Sequence, residues 1–160
     1  MSNKKRVFDI CVSLALICIS FPLLLIIAAL VKKKSVGNIF HYSLRVGRFG
    51  QHFRMIKFRT MVPGTPQVAT HLLGSPDDYL TPFGAWLRKT SLDELPQLLC
   101  VLRGSMSLVG PRPALFNQSD LIRLRKEKGV DALLPGITGW AQINGRDSIS
   151  VNDKVKLDVY

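Results

Sequence analysis

The chain carries 160 residues, one domain's worth, with 22 Lys and Arg against 11 Asp and Glu and a formal charge of +11. That surplus points to an anionic partner: nucleic acid, a lipid surface or a phosphorylated substrate. Cys11, Cys18 and Cys100 lie at no metal-like spacing and two of them sit in an apolar run, which excludes a disulfide framework or zinc site and fits a reducing cytoplasmic setting.

An uncharged apolar run extends from Ile10 to Val31. As a straight helix it reaches about 33 Å, enough to cross a hydrocarbon core of about 30 Å. Length alone predicts a spanning helix. The flanks predict otherwise. Lys4, Lys5 and Arg6 precede the run and Lys32, Lys33 and Lys34 follow it, while positive charge is retained on the cytoplasmic side. A segment that dips into one leaflet and returns satisfies both clusters. Pro22 supplies the bend by deleting a helical hydrogen bond, and Ser20 is placed to satisfy a freed carbonyl. A kinked spanning helix is the competing reading. A cleaved signal peptide is disfavoured, because the run is long and lacks a clear small-residue cleavage site.

Residues 38–61 read as a β-hairpin turning at Gly47-Arg48-Phe49-Gly50. Ile56 and Phe58 share one strand face, Lys57 and Arg59 the other, so the cationic face either holds phosphate or lines a solvated edge. Residues 62–79, with Pro63, Gly64, Pro66, Gly74 and Pro76, read as a loop. Thr81 and Pro82 then start a short helix, as N-cap and first residue, that runs to about Lys89.

The stretch Arg88-Lys89-Thr90-Ser91-Leu92-Asp93-Glu94-Leu95-Pro96-Gln97 places two adjacent carboxylates among cations, with Arg103 and Arg112 following. Opposite charges nearby favour the ionised carboxylate, which can attack an electrophile or hold a hard cation. Two structural readings stand beside this one. Ser91 and Glu94 fit a capping box; alternatively the helix starts at Pro96 and leaves the pair on the preceding turn. Either way the carboxylates lie at a helix N-terminus. The next helix carries Leu98, Leu99, Val101 and Leu102 and ends near Gly104. In the following connection Pro111 and Pro113 restrict Arg112, so its guanidinium is either held ready for phosphate or part of an ordinary turn. Residues 117–128 read as a basic, mildly amphipathic helix suited to an acidic membrane face or to solvent. Residues 134–146 form a glycine-spaced turn region in which Trp140 suits a membrane interface.

Taken in order, these segments resemble the bacterial sugar transferases, the small monotopic polyprenyl-phosphate sugar-1-phosphate (phosphoglycosyl) transferases. The residues that carry the resemblance are Lys5-Arg6-Val7-Phe8-Asp9, the proline-broken apolar segment, Lys57-Phe58-Arg59-Thr60-Met61, the stretch from Leu87 to Gln97, Ser107 to Pro113, and Pro135 to Arg146. The resemblance implies a mostly helical α+β protein. It implies that residues 1–34 form a re-entrant membrane anchor built around Ser20 and Pro22, and that residues 35–160 form a catalytic domain of a small β-hairpin and short interfacial helices on the cytoplasmic face of a bacterial inner membrane. It implies that Asp93 attacks the β-phosphate of a UDP-sugar with Mg²⁺ present and also binds that metal. UMP leaves, and undecaprenyl phosphate removes the sugar phosphate from the aspartyl intermediate, initiating cell-surface glycan assembly. Glu94 maps to the dyad partner and Arg112 to a phosphate-binding arginine. Arg88, Lys57, Arg59 and Arg146 are further substrate-binding candidates.

Lys34-Ser35-Val36-Gly37-Asn38, Tyr79 and Val151 depart from the family pattern. Relatives usually continue beyond Leu157-Asp158-Val159-Tyr160, so the catalytic domain is expected to be truncated at its C-terminal end. An inactive fragment that binds a membrane surface through its charge is the alternative function. Nucleic-acid binding lacks a stacking-aromatic or groove-helix signature.

Overall fold

Thirty-two residues at the N-terminal end form one helix, α1 (Asn3–Lys34), assigned without interruption through Pro22. The computed structural model describes residues 2–66, 68, 73–145 and 149–159. At 1.5 Å per residue α1 is about 48 Å long, and its helical run continues through Pro22. Ser20 differs from expectation. Its hydroxyl donates to the Leu16 carbonyl at 2.6 Å, one turn back on its own ladder, whereas the carbonyl deprived by Pro22 is that of Cys18.

The two ends of α1 are embedded in the rest of the fold and its middle is not. Leu14, Ile19, Phe21, Leu25 and Ile26 are exposed. Near the start, Asp9 and Ser13 are fully buried. Lys5 donates to the Asp9 carboxylate and, at 2.8 Å, to the Ser107 hydroxyl, which itself donates to Asp9 at 2.7 Å. Arg6 donates to the carbonyls of Val101 and Leu102 at 2.6 and 2.8 Å. Two cations that read as a membrane flank therefore fix the helix to its own domain. Toward the other end, Ile27 and Val31 pack with Phe58 and Leu87 in one core cluster. Fully burying side chains of this kind contributes about 1.5–3 kcal/mol each.

The hairpin forms as the sequence predicts. β1 (Phe40–Val46) and β2 (His52–Phe58) pair antiparallel from Phe40↔Phe58 to Val46↔His52. Further strands were not legible in the sequence: β3 (Ser107–Val109), β4 (Ala114–Leu115) and β5 (Gly136–Thr138). β4 extends the hairpin into a sheet of order β2-β1-β4, while β3 and β5 make a separate parallel pair. Gly136, the first residue of β5, approaches Gly110, which follows β3, with their backbones nearly touching. A Cβ on Gly136 would fall 2.1 Å from the Gly110 nitrogen, so only glycine permits the approach.

α2 (Pro82–Thr90) starts as expected, with the Thr81 hydroxyl accepting the Gly84 N–H at 3.0 Å. Gly84 lets the helix press onto the end of β2, since a Cβ there would sit 2.0 Å from the Thr60 carbonyl oxygen. The remaining helices are α3 (Leu98–Arg103), α4 (Ser119–Glu127), α5 (Trp140–Ile143) and α6 (Val151–Val159). A second core cluster joins Met55 and Ile56 of β2 to Cys100, Val101 and Met106, and a third joins Ala114, Leu121 and Val155.

Candidate active site

The carboxylate pair sits on a tight reversal between α2 and α3. Ser91 adopts φ 57°, in the left-handed region that non-glycine residues seldom occupy, and its N–H donates to the carbonyls of Arg88 and Leu87 to close α2. Leu92–Gln97 then forms a 3-10 helix that holds Asp93, Glu94 and Pro96, and α3 begins only at Leu98. The capping box does not form: Ser91 is a C-cap, and its hydroxyl makes no capping bond among the described residues. The alternative was nearer, since the pair does precede the α-helix, which begins two residues after Pro96. Pro96, inside that run, lacks the N–H that a regular helix starting at Leu92 would need there.

Asp93 is 4% exposed. Glu94 lies nearer the surface, with a side-chain exposure of 15%, and accepts from Arg112 Nη2 at 2.9 Å. Burial pushes the Asp93 carboxyl above the usual range. Lys57 opposes the shift, the Glu94 charge adds to it, and Arg88 opposes it. Sequence reasoning expected the surrounding cations to prevail; desolvation outweighs them. The partners respond in kind. Burial, with Arg88 next, lowers Lys57 to about 8, against the pull of Asp93. His41, which stands opposite Lys57 in the hairpin register, is also lowered, by burial and by Lys57, Arg45 and Arg88.

A cavity of about 350 Å³ opens on the cationic side, lined by His41, Ser43, Arg45, Lys57, Arg59 and Arg88 together with residues of the loop after β2. His41, Ser43 and Arg45 were missed by sequence reasoning. Their alternation along β1, facing the cationic side of β2, is the period-two signal that could have found them. Of the expected residues here, Lys57 and Arg88 act electrostatically on Asp93. Arg88 also donates to the Thr60 hydroxyl at 3.2 Å. Arg59 is committed elsewhere: its guanidinium donates to the Val36 and Ser35 carbonyls at 2.6 and 2.9 Å and to the Ser35 hydroxyl at 2.7 Å. That bonding fixes the segment leaving α1. Arg146 lies outside the described residues.

Glu94 lines a separate, apolar groove of about 640 Å³. Ser91, Leu95, Leu98, Leu108, Ile137 and Ile143 line it, with Leu16 of α1 contributing a wall. Gln142 also lines the groove, with its amide oxygen and nitrogen both buried and without a hydrogen bond among the described residues. Glu94 thus lines the apolar groove, which touches the apolar helix, while the adjacent buried Asp93 feels the Lys57 and Arg88 charges of the cationic cavity.

The oxygen donors fit Mg²⁺. That ion is usually held by one or two carboxylates, with water and substrate phosphates completing the shell, and Asp93 and Glu94 supply two carboxylates adjacent in sequence. No group of three or more metal-ligating side chains of the His, Cys, Asp and Glu types occurs among the described residues, so an all-protein cage is not built here.

The family model described as bacterial sugar transferase matches residues 1–160. A Bacillus subtilis (strain 168) protein named as an uncharacterized sugar transferase, EpsL, is 43% identical over 98% of this chain and 76% of its own length. A Xanthomonas campestris pv. campestris protein named UDP-glucose:undecaprenyl-phosphate glucose-1-phosphate transferase is 42% identical over 78% of this chain and 26% of its own. The undecaprenyl-phosphate galactose phosphotransferase of Salmonella typhimurium is 37% identical over 96% of this chain and 35% of its own. The last two are much longer than the part matched here. With a family match along its whole length and a relative 43% identical over nearly all of it, the chain belongs to the bacterial sugar transferase family.

Proposed function

We propose that this chain transfers a sugar-1-phosphate from a UDP-sugar to undecaprenyl phosphate, and that Asp93 carries the phosphosugar between them. The carrying observation is that Glu94 lines the apolar groove while the adjacent Asp93 is coupled electrostatically to Lys57 and Arg88, which line the cationic cavity. The cationic chamber suits the diphosphate of the donor, and the apolar groove, walled by α1, suits the first isoprene units of the acceptor. The names of the relatives support both substrates.

The chemistry runs in two balanced steps. The Asp93 carboxylate forms a bond to the β-phosphorus, the bond from that phosphorus to the bridging oxygen breaks, and UMP leaves with the electron pair. An oxygen of the lipid phosphate then attacks the same phosphorus, and the Asp93 carboxylate is the leaving group. Splitting the transfer in this way replaces one difficult step with two easier ones. Desolvation helps the first step, because a carboxylate with a raised pKa is a better nucleophile once ionised. Lys57, Arg88 and Arg112 offer positive charge where negative charge moves onto the phosphoryl oxygens. Glu94 and Asp93 would hold Mg²⁺, which neutralises phosphate charge when bound. Glu94 is itself oriented by Arg112.

Both ends of α1 are fastened to one folded unit, through Lys5 and Arg6 at the start and through Ile27, Val31 and the Arg59 bonds at Ser35 and Val36 at the end. This supports an anchor that enters and leaves one leaflet on the cytoplasmic face, with the middle of α1 in lipid. Cysteine labels at Ser2 and Ser35, with native cysteines replaced, should then react alike with an impermeant reagent in intact cells. Opposite accessibility would mean a spanning helix.

The catalytic test supplies membranes carrying the chain with undecaprenyl phosphate and a panel of radiolabelled UDP-sugars, UDP-glucose and UDP-galactose included. Label entering the lipid extract with matching UMP release is the expected result. A panel that yields neither leaves the basic membrane-surface protein as the better description.

A further inference from the structure

Arg112 stands between two prolines, so neither neighbour offers a backbone N–H to fix the segment. Its carbonyls are held instead. Pro111 O accepts from Gly136 N at 2.9 Å, Pro113 O accepts from Arg45 Nη1 at 3.1 Å, and Arg112 O accepts from Arg125 Nη1 at 2.7 Å. The third bond has a supporting structure of its own. Arg125 Nε and Nη2 both donate to Asp158 Oδ2, at 3.0 and 2.6 Å, and the two side chains are only 9% and 1% exposed. One guanidinium therefore reaches from α6 to the carbonyl of the residue whose own guanidinium holds Glu94.

A buried ion pair gains little stability over a well-packed apolar pair of the same volume, because both charges lose their hydration. What the pair does supply is direction. The guanidinium is a rigid planar fork, and anchoring two of its donors on Asp158 aims a third at the loop. No side chain on α4 other than Leu121 is buried as Arg125 is, although the helix is otherwise a basic surface element.

We propose that Arg125 and Asp158 are positioning residues, which set the place of the Arg112 guanidinium, and through it the Glu94 carboxylate, by holding the Arg112 carbonyl. The inference rests on the reading of Arg112 as a phosphate-binding arginine of the transferase. It makes α6 part of the active-site support, although α6 contributes no residue to either chamber.

The test separates position from stability. Arg125→Met combined with Asp158→Leu replaces the ion pair by an apolar pair that should melt at or above the parent temperature, yet it has no donor for the Arg112 carbonyl. Lipid-transfer turnover, measured in membranes with whichever of UDP-glucose and UDP-galactose the parent uses, should fall by about tenfold to a hundredfold, the scale of a small misplacement of reacting groups. In an Arg112→Ala background the same pair should add no more than about twofold, since residues acting as a unit are not additive. Parental turnover by the apolar pair, or a loss that multiplies in the Arg112→Ala background, overturns the inference. Should the apolar pair fail to fold, Arg125→Lys keeps a charge opposite Asp158 without the fork, and must show the same loss and the same masking; parental turnover there overturns it too. Arg112→Ala with parental turnover overturns the functional reading instead.

Discussion

Two buried aspartates, Asp93 and Asp158, occupy opposite situations within one small fold. Asp158 places one carboxylate oxygen against two guanidinium N–H groups of Arg125. Asp93 joins no ion pair among the described residues and feels Lys57 and Arg88 only at longer range. Burial raises both carboxyls, but at Asp158 the charge of Arg125 and its two close hydrogen bonds oppose the rise and leave the carboxylate oxygen committed. The difference is one of function. A carboxylate whose lone pairs are spoken for holds structure, while one that is desolvated among distant cations keeps a lone pair for an incoming phosphorus.

The sharpest way to break this contrast is Asp93→Asn, which keeps the shape and removes the charge. Turnover should fall by about a thousandfold or more, as when a covalent nucleophile is lost, while stability moves the other way. The sign follows from linkage. The folded pKa lies above the unfolded value of 3.8, so the folded chain holds this proton more tightly. Ionising Asp93 then costs stability progressively as pH rises from the unfolded toward the folded value, and the cost is complete above the folded value. Asparagine removes it. The variant should melt above the parent at pH 7, with the gap closing below about pH 4.

Asp158→Ala should do the reverse. It strands a buried guanidinium, which costs about 3–5 kcal/mol when one partner of such a pair is deleted, and chemical denaturation would read the loss directly. An unchanged denaturation midpoint would mean that the pair is not buried in the folded protein.

A subtler test uses pH. Lys57 is lowered to about 8, so its charge beside Asp93 fades at mildly alkaline pH. The rate profile should show an acid limb from Asp93, above the ordinary carboxylate range, and an alkaline limb near 8. Lys57→Arg cannot lose its proton and should remove the alkaline limb while retaining part of the activity. Persistence of that limb would assign it to another group.

How much of this was legible in the sequence depended on length of pattern and on local chemistry. The hairpin was readable because seven-residue strands show their alternation and Gly47 to Gly50 marks the turn. β3, β4 and β5, at two or three residues each, are too short to show a period and exist only through tertiary pairing. The dyad was legible as chemistry but not as geometry: Ser91-Leu92-Asp93-Glu94 fits a capping box locally, and the left-handed Ser91 and Pro96 overrule it. Arg125 was hidden within a basic helix, where nothing local distinguishes a buried guanidinium from its solvated neighbours. Lys5 and Arg6 were similarly masked by their cluster. The partners that reveal them, Ser107 and the α3 carbonyls, lie far along the chain.

The most direct measurement of the central claim is single-turnover labelling without the lipid acceptor. Membrane-embedded chain is mixed with a UDP-sugar carrying ³²P in the β-phosphate, and protein-bound label and UMP are followed together. A free Asp93 carboxylate predicts label on the protein in step with UMP release, its discharge when undecaprenyl phosphate is added, and no label on Asp93→Asn. UMP released only in the presence of the lipid, with the protein unlabelled throughout, would contradict the covalent role and leave direct transfer from donor to acceptor.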